Sequence, residues 1–260
     1  MRKLLAAMFV ALLMAGCGEE AKKKGAFVYP NLKYQIKGDV VTITGCDKKA
    51  GGELVLPDTI NGKSVTNIGV RAFYKCRYLT KIIIPNGVRK IGVVAGEWSA
   101  FEECKELIAI TVTNGNAVYS SKDGVLFNKQ KTVLLLCPNG KSGTYVIPDE
   151  VEYISTGGFM DCSKLTSITL SDSVEDIGDG SFQGCNSLIS ITIGNNVTSI
   201  GEMAFSECTQ LTTVTFHGDA PRAENYIFHN STPTIYRKPE AKGWDDKWSR
   251  RPVKLISEKP

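Results

Sequence analysis

The sequence predicts a β-rich α/β solenoid: a right-handed arc of stacked coils with one parallel sheet, short helical or 3₁₀ turns on the other face, and a small β-hairpin island. Three observations predict it. Four columns recur at a step of 23, namely Phe159, Phe182 and Phe205; Cys162, Cys185 and Cys208; Leu165, Leu188 and Leu211; and Ile154, Ile177 and Ile200. Such self-similarity marks repeats that bury their apolar faces on one another. Within each unit, as in Leu165-Thr166-Ser167-Ile168-Thr169-Leu170, the final apolar residues alternate with polar ones at the period of a strand. The three-residue step from Phe182 to Cys185 instead puts both on one side of a single turn.

The elements follow in chain order. Residues 1–16 read as a secretory signal: Arg2 and Lys3 precede an apolar run from Leu4 to Ala15, and Gly16 stands before Cys17. The run is shorter than the roughly 20 residues needed to cross a bilayer. Leu13-Met14-Ala15-Gly16-Cys17 resembles the bacterial lipobox, with Met14 where leucine is commonest, and the resemblance implies that Cys17 carries the lipid. More than one acyl chain makes such an anchor stable. Residues 17–30 begin with a charged stretch, Gly18 to Gly25, that has nothing apolar to bury and reads as a flexible tether. Gly18 is not the aspartate that commonly retains lipoproteins at the inner membrane, and the Glu19-Glu20 pair is similar to acidic surface-export signals. The predicted location is therefore the outer membrane, lipid-anchored and surface-exposed, with a periplasm-facing orientation as the alternative.

Residues 31–67 read as an N-terminal cap and residues 68–216 as the repeats. The pattern starts at Ile68-Gly69, Ala72-Phe73, Cys76 and Leu79 and returns at Ile91-Gly92, Ala100-Phe101, Cys104 and Leu107. The second copy carries five extra residues within Val93 to Ser99, among them Glu97 and Trp98. Residues 113–144 interrupt the pattern, and the Asp123-Gly124 and Asn128-Lys129-Gln130-Lys131 turns predict the hairpin island. Eight strands are countable from Leu54-Val55-Leu56 to Thr234-Ile235-Tyr236. Residues 217–260 read as a degenerate repeat and C-terminal cap, with Phe228 and Ser231 standing where the phenylalanine and cysteine columns would continue. A lone coil has too few apolar side chains to offset the entropy of ordering it, so the coils must stack.

Units carrying Ile-Gly, Ala-Phe, Cys, Leu-x-x-Ile-x-Ile and Pro resemble BspA-like leucine-rich repeats over roughly Tyr34 to Leu255. One departure is plain. Gly87 and Ser173 stand where other leucine-rich repeats place an asparagine ladder, so the turn after the strand must be made differently. The resemblance implies a lipid-anchored cell-surface protein that binds a protein on the host or a neighbouring cell. A periplasm-facing scaffold is the alternative and a thiol enzyme a remote one.

Composition and motifs bear on function. Of 31 Lys and Arg, 29 remain once Arg2 and Lys3 are removed, against 27 Asp and Glu. Such a balance argues against nucleic acid, whose phosphates need a concentrated basic surface. The chain contacts a membrane only through its N-terminal lipid on this reading. Cys76, Cys104, Cys162, Cys185 and Cys208 share one column behind a buried aromatic, which predicts reduced structural thiols; Cys46 and Cys137 lie outside it. With two histidines, His217 and His229, and no metal-ligand spacing, no cofactor, metal or catalytic residue is predicted. An enzyme using Cys208 with His217 would need that cysteine out of the core. Thr111, Thr169, Thr192 and Thr215, facing away from the core, are the predicted binding row, and Glu97 with Trp98 on the insertion the predicted loop contact.

Overall fold

The structure is a computed structural model, and it describes residues 31–92 and 99–259. The signal segment, Cys17, the tether, Glu97 and Trp98 lie outside the described residues. The fold is a β-solenoid of about eight turns with almost no helix.

The first part of the chain forms β1 (Leu32–Lys37), β2 (Val40–Cys46), β3 (Gly51–Val55), β4 (Thr59–Ile60), β5 (Lys63–Ile68), β6 (Tyr78–Ile84), β7 (Lys90–Ile91) and β8 (Ala109–Val112). A meander follows of β9 (Tyr119–Lys122), β10 (Val125–Asn128) and β11 (Val133–Leu136). The regular stack holds β12 (Ser142–Val146), β13 (Tyr153–Ile154), β14 (Lys164–Thr169), β15 (Asp176–Ile177), β16 (Ser190–Ile193), β17 (Ser199–Ile200), β18 (Thr213–Phe216), β19 (Arg222–Ala223) and β20 (Thr234–Arg237). It is closed by β21 (Lys247–Trp248) and β22 (Arg251–Leu255).

Each regular coil contributes two strands. The longer ones pair in parallel, with Ile168 against Ile191 and Ile191 against Val214, so the pairing register is the repeat length itself. The isoleucine column supplies two-residue strands on the other side, and Ile154, Ile177 and Ile200 run on to Ala223 in a second parallel ladder. That second sheet differs from the expected row of short helical or 3₁₀ turns. The Phe-to-Cys segments are isolated turns, with the Cys185 amide donating to the Phe182 carbonyl at 3.2 Å. They do not propagate because left-handed residues flank them: Gly180 and Gly184 around Phe182, Met203 and Glu207 around Phe205. Among the described residues the one 3₁₀ segment is Ile256–Glu258.

The long sheet is in two pieces rather than one, β3-β6-β8 and β12-β14-β16-β18-β20-β22-β21. The Asp123-Gly124 turn causes the break by occupying the free edge of β8, where Ile110 donates to the Gly124 carbonyl at 2.8 Å. Gly124 has φ +78°, and a Cβ there would lie 2.9 Å from the Ala109 Cα, so both conformation and space call for glycine. β9, β10 and β11 pair antiparallel, and β11 then joins β13 in the second ladder. Buried Asn116 ties this meander to the preceding coils: its Nδ2 donates to Pro85 and Val88 carbonyls, and its Oδ1 accepts from the Val118 and Tyr119 amides.

Two apolar clusters fill the interior. One runs from Leu32 to Leu126 and the other from Val125 to Ile235. Strand β10 is the partition, because alternation sends Val125 and Phe127 to one cluster and Leu126 to the other. Phe159, Phe182, Phe205 and Phe228 stack ring on ring at 5.1, 5.1 and 5.5 Å. Phe73 and Phe101 form a shorter stack at 5.3 Å. Beside the rings runs a ladder of thiols, each donating to a carbonyl of the previous coil: Cys104 to Phe73 at 3.0 Å, Cys185 to Phe159 at 3.1 Å and Cys208 to Phe182 at 3.0 Å. Ser231 makes the same bond to Phe205 at 2.7 Å. The seven described cysteines, Cys46 and Cys137 included, are free and buried. Trp244 and Trp248 close the end, packing on Phe216 at 4.8 and 5.3 Å.

Candidate functional site

The outward face of the long sheet is built by the alternation that buries Ile168, Ile191 and Val214. Pairing aligns Thr169, Thr192 and Thr215 in one row, headed by Val146 and followed by Tyr236. Two residues earlier on each strand a second row holds Thr144, Ser167, Ser190, Thr213 and Thr234. With strands about 4.8 Å apart, the rows form a grid of hydroxyls bearing no charge. The Ser190 hydroxyl donates to Ser167 at 3.2 Å, so part of the grid is ordered across strands.

The predicted residues divide. Thr169 is exposed and Thr192 half-exposed, as a contact row needs. Thr215 is only 5% exposed, because Lys259 donates to its hydroxyl at 3.3 Å and also lies over the Tyr236 ring, so the C-terminal segment covers that end of the row. Thr111 stands in the other piece of the sheet, beside Ile83 and Val55, and not in the hydroxyl grid. Just after β7, the Ala100 amide donates to the Gly92 carbonyl at 2.6 Å. Strand β7 pairs with β5, in the sheet of β1, β2, β5 and β4 rather than the sheet carrying Thr169 and Thr192.

Some surface features gave no sequence signal. Val146 is 67% exposed at the head of the threonine row, and Ile108 and Ile189 are exposed just before β8 and β16. They fall outside the repeating apolar columns, which is the only cue they offered. The turn after the strand is indeed made without an asparagine ladder. Asp172 accepts from both the backbone amide and the side-chain amide of Asn195 at 2.8 Å, and Asp219 accepts from the Lys242 amide at 2.7 Å. The backbone amide first, then the side-chain amide, holds the Asp172 carboxyl below its usual range.

Near the insertion an ion-pair network spans the coils of Phe73 and Phe101. Arg71 pairs with Glu102 at 3.1 Å, and Glu103 takes Lys75 at 3.3 Å and Arg77 at 3.1 Å. Burial acts to raise the Glu103 pKa, but hydrogen bonds from Arg77, Tyr74 and Lys75 outweigh it and leave it lowered. Among the described residues no group of three or more His, Cys, Asp or Glu is placed to hold a metal ion. The Cys208 thiol sits in the core and donates to Phe182, and no hydrogen bond joins it to His217. Burial pushes the Cys104 thiol up to about 12, the reverse of what a nucleophile needs.

A family model described as a BspA type leucine rich repeat region matches six copies over residues 55–132 and 137–237. The chain belongs to this family of leucine-rich repeats. A crystal structure of a leucine-rich repeat protein from Eubacterium ventriosum is similar at 29% identity and TM-score 0.56, covering 71% of this chain and 48% of that one. That of a leucine rich cell surface protein from Faecalibacterium prausnitzii has 22% identity and TM-score 0.55, covering 80% of this chain and 60% of that one. The chain thus spans about half to three fifths of the length of these two proteins. No curated protein matches it. Leucine-rich repeat proteins are generally interaction scaffolds and typically non-enzymatic.

Proposed function

We propose that the chain is a lipid-anchored protein of the outer membrane, held by Cys17 and displayed outward, whose arc binds proteins of the host or of a neighbouring cell. The observation that carries this reading is the hydroxyl grid of Thr169, Thr192, Ser167 and Ser190, a regular uncharged face on a rigid parallel sheet. Hydroxyls donate and accept, and a surface without charges to desolvate suits a protein partner. The lipobox-like segment ending in Cys17 supplies the anchor in this account, and residues 17–30 the tether.

Protease shaving of intact cells tests the location. Cleavage of the chain while a periplasmic control survives supports outward display. Full protection turns the reading to a periplasm-facing scaffold and removes the host or neighbouring-cell partner.

A further inference from the structure

The C-terminal closure forms a cleft of about 380 Å³ between the last turn of the stack and the β21-β22 hairpin. Glu224, Tyr226, His229 and Asn230 line one wall, and Arg250 with Arg251 the other. Charge on the two walls is unequal. Glu224 is already paired with Arg222, and Asn230 is bonded to Glu207. No ion pair engages Arg250 or Arg251 among the described residues, and the Arg251 Nε is buried without a hydrogen-bond partner. The cleft therefore presents two uncompensated guanidinium groups beside the ring of Tyr226, which is 62% exposed.

Backbone conformation sets the hairpin tip apart. Ser249 and Arg250 both have positive φ, +46° and +64°, in the two-residue turn that joins β21 to β22. Such turns favour Asn-Gly, and Asn61-Gly62 provides it in the β4-β5 hairpin of this same chain. Tyr226 and Asn230 also have positive φ, but they repeat Met203 and Glu207 one coil earlier and belong to the stack. The strain at Ser249-Arg250 has no counterpart in the repeat. Strain that packing does not require collects where a side chain must be aimed.

Next to the cleft lies β19, the last strand of the short-strand ladder, with both residues exposed and, among the described residues, no strand on its outer side; the Trp248 indole takes the Pro221 carbonyl just before it, so Ala223 is the residue whose backbone is open to a partner. An extended peptide could add there through its backbone while its side chains enter the cleft. We propose that this cleft binds an acidic, extended peptide segment, its carboxylates held by Arg250 and Arg251 and its backbone laid along β19. The site is separate from the hydroxyl grid and does not depend on it.

The test is fluorescence anisotropy on the full mature chain with a fluorescein-labelled decapeptide alternating Glu and Val. A Gln-for-Glu decapeptide and a galacturonate oligomer are the comparison probes. The Glu peptide should bind at least tenfold more tightly than the Gln peptide, and added salt should weaken it. Arg251→Gln should weaken binding at least fivefold. Arg250→Gly should do the same while raising the melting temperature, since glycine relieves the turn. Lys49→Gln, at an exposed lysine of the N-terminal region, should leave binding unchanged. Equal binding of the two peptides, or loss of binding in Lys49→Gln, would overturn the proposal. So would tighter binding of the galacturonate, or an Arg250→Gly protein that keeps its affinity.

Discussion

The two ends of the stack solve one packing problem to different depths. From Phe159 to Phe228 four rings continue without interruption, whereas at the N-terminal end Phe73 and Phe101 stand as a pair. The regular coils keep the 23-residue step, while the coil of Phe101 carries the insertion and the next place in the stack is taken by the β9-β10-β11 meander. Repetition builds a core by adding neighbours, and an interruption needs its own anchor. Here Asn116 and Gly124 supply it.

The largest effect that would sharpen this contrast is Phe182→Ala. Phe182 is fully buried with a ring on each side, so its loss should cost about 3–5 kcal/mol in urea denaturation. Phe73→Ala should cost less by about 0.5–1.5 kcal/mol, since it forfeits one stacked partner instead of two. Equal costs would show that ring continuity contributes nothing beyond burial. Because β10 feeds both clusters, unfolding should be a single transition by fluorescence and circular dichroism, and two separated transitions would mean that β10 is not a shared wall.

Next comes the seam. Asn116→Ala removes four hydrogen bonds and takes the side-chain donor from the buried Val88 carbonyl, while the Pro85 carbonyl keeps the Val88 amide, a loss of about 2–4 kcal/mol. Hydrogen exchange should then speed up first in β9 and β10. A smaller effect is expected in the thiol ladder. Cys208→Ser should stay within about 1 kcal/mol of the parent because Ser231 already makes that bond one coil on, while Cys208→Ala should lose about 0.5–1.5 kcal/mol, since the Phe182 carbonyl loses the thiol but keeps the Cys185 amide.

The thiol ladder also carries a pH dependence. Burial raises the Cys104 thiol from 9.0 to about 12, so the folded chain holds this proton more tightly than the unfolded one. The stability it contributes is fully present below pH 9 and is lost as pH rises from there toward 12. Comparing denaturation at pH 8 and pH 10.5, the parent should lose more stability than Cys104→Ser. No difference would mean the thiol is not desolvated as described.

Much of this was legible in the sequence because the step of 23 fixes both which residues face inward and how the strands pair. The second sheet was not, since two residues such as Asp176 and Ile177 leave no alternation to detect. The turns looked helical because Phe182 and Cys185 share a side, but the left-handed backbone at Asp161, Met203 and Glu207 carries no glycine to announce it. Thr215 read as exposed from its strand alone, and the lysine that covers it lies 44 residues away. Thr111 belonged to the right column and the wrong piece of sheet, for the edge of β8 is taken by Gly124. Ser231 looked like decay of the cysteine column, whereas it preserves the donor that the column exists to supply.

The central claim, that the hydroxyl grid is the surface that meets a protein partner, is tested most directly by photo-crosslinking on intact cells. A benzophenone amino acid is placed at Thr192 on the grid and, as a control, at Thr198 on the opposite ladder. Position 192 should give a protein adduct that is absent from position 198 and disappears when Thr169→Arg is added. Adducts from position 198 alone, or none from position 192 while cells in contact with their partners still bind, would contradict it.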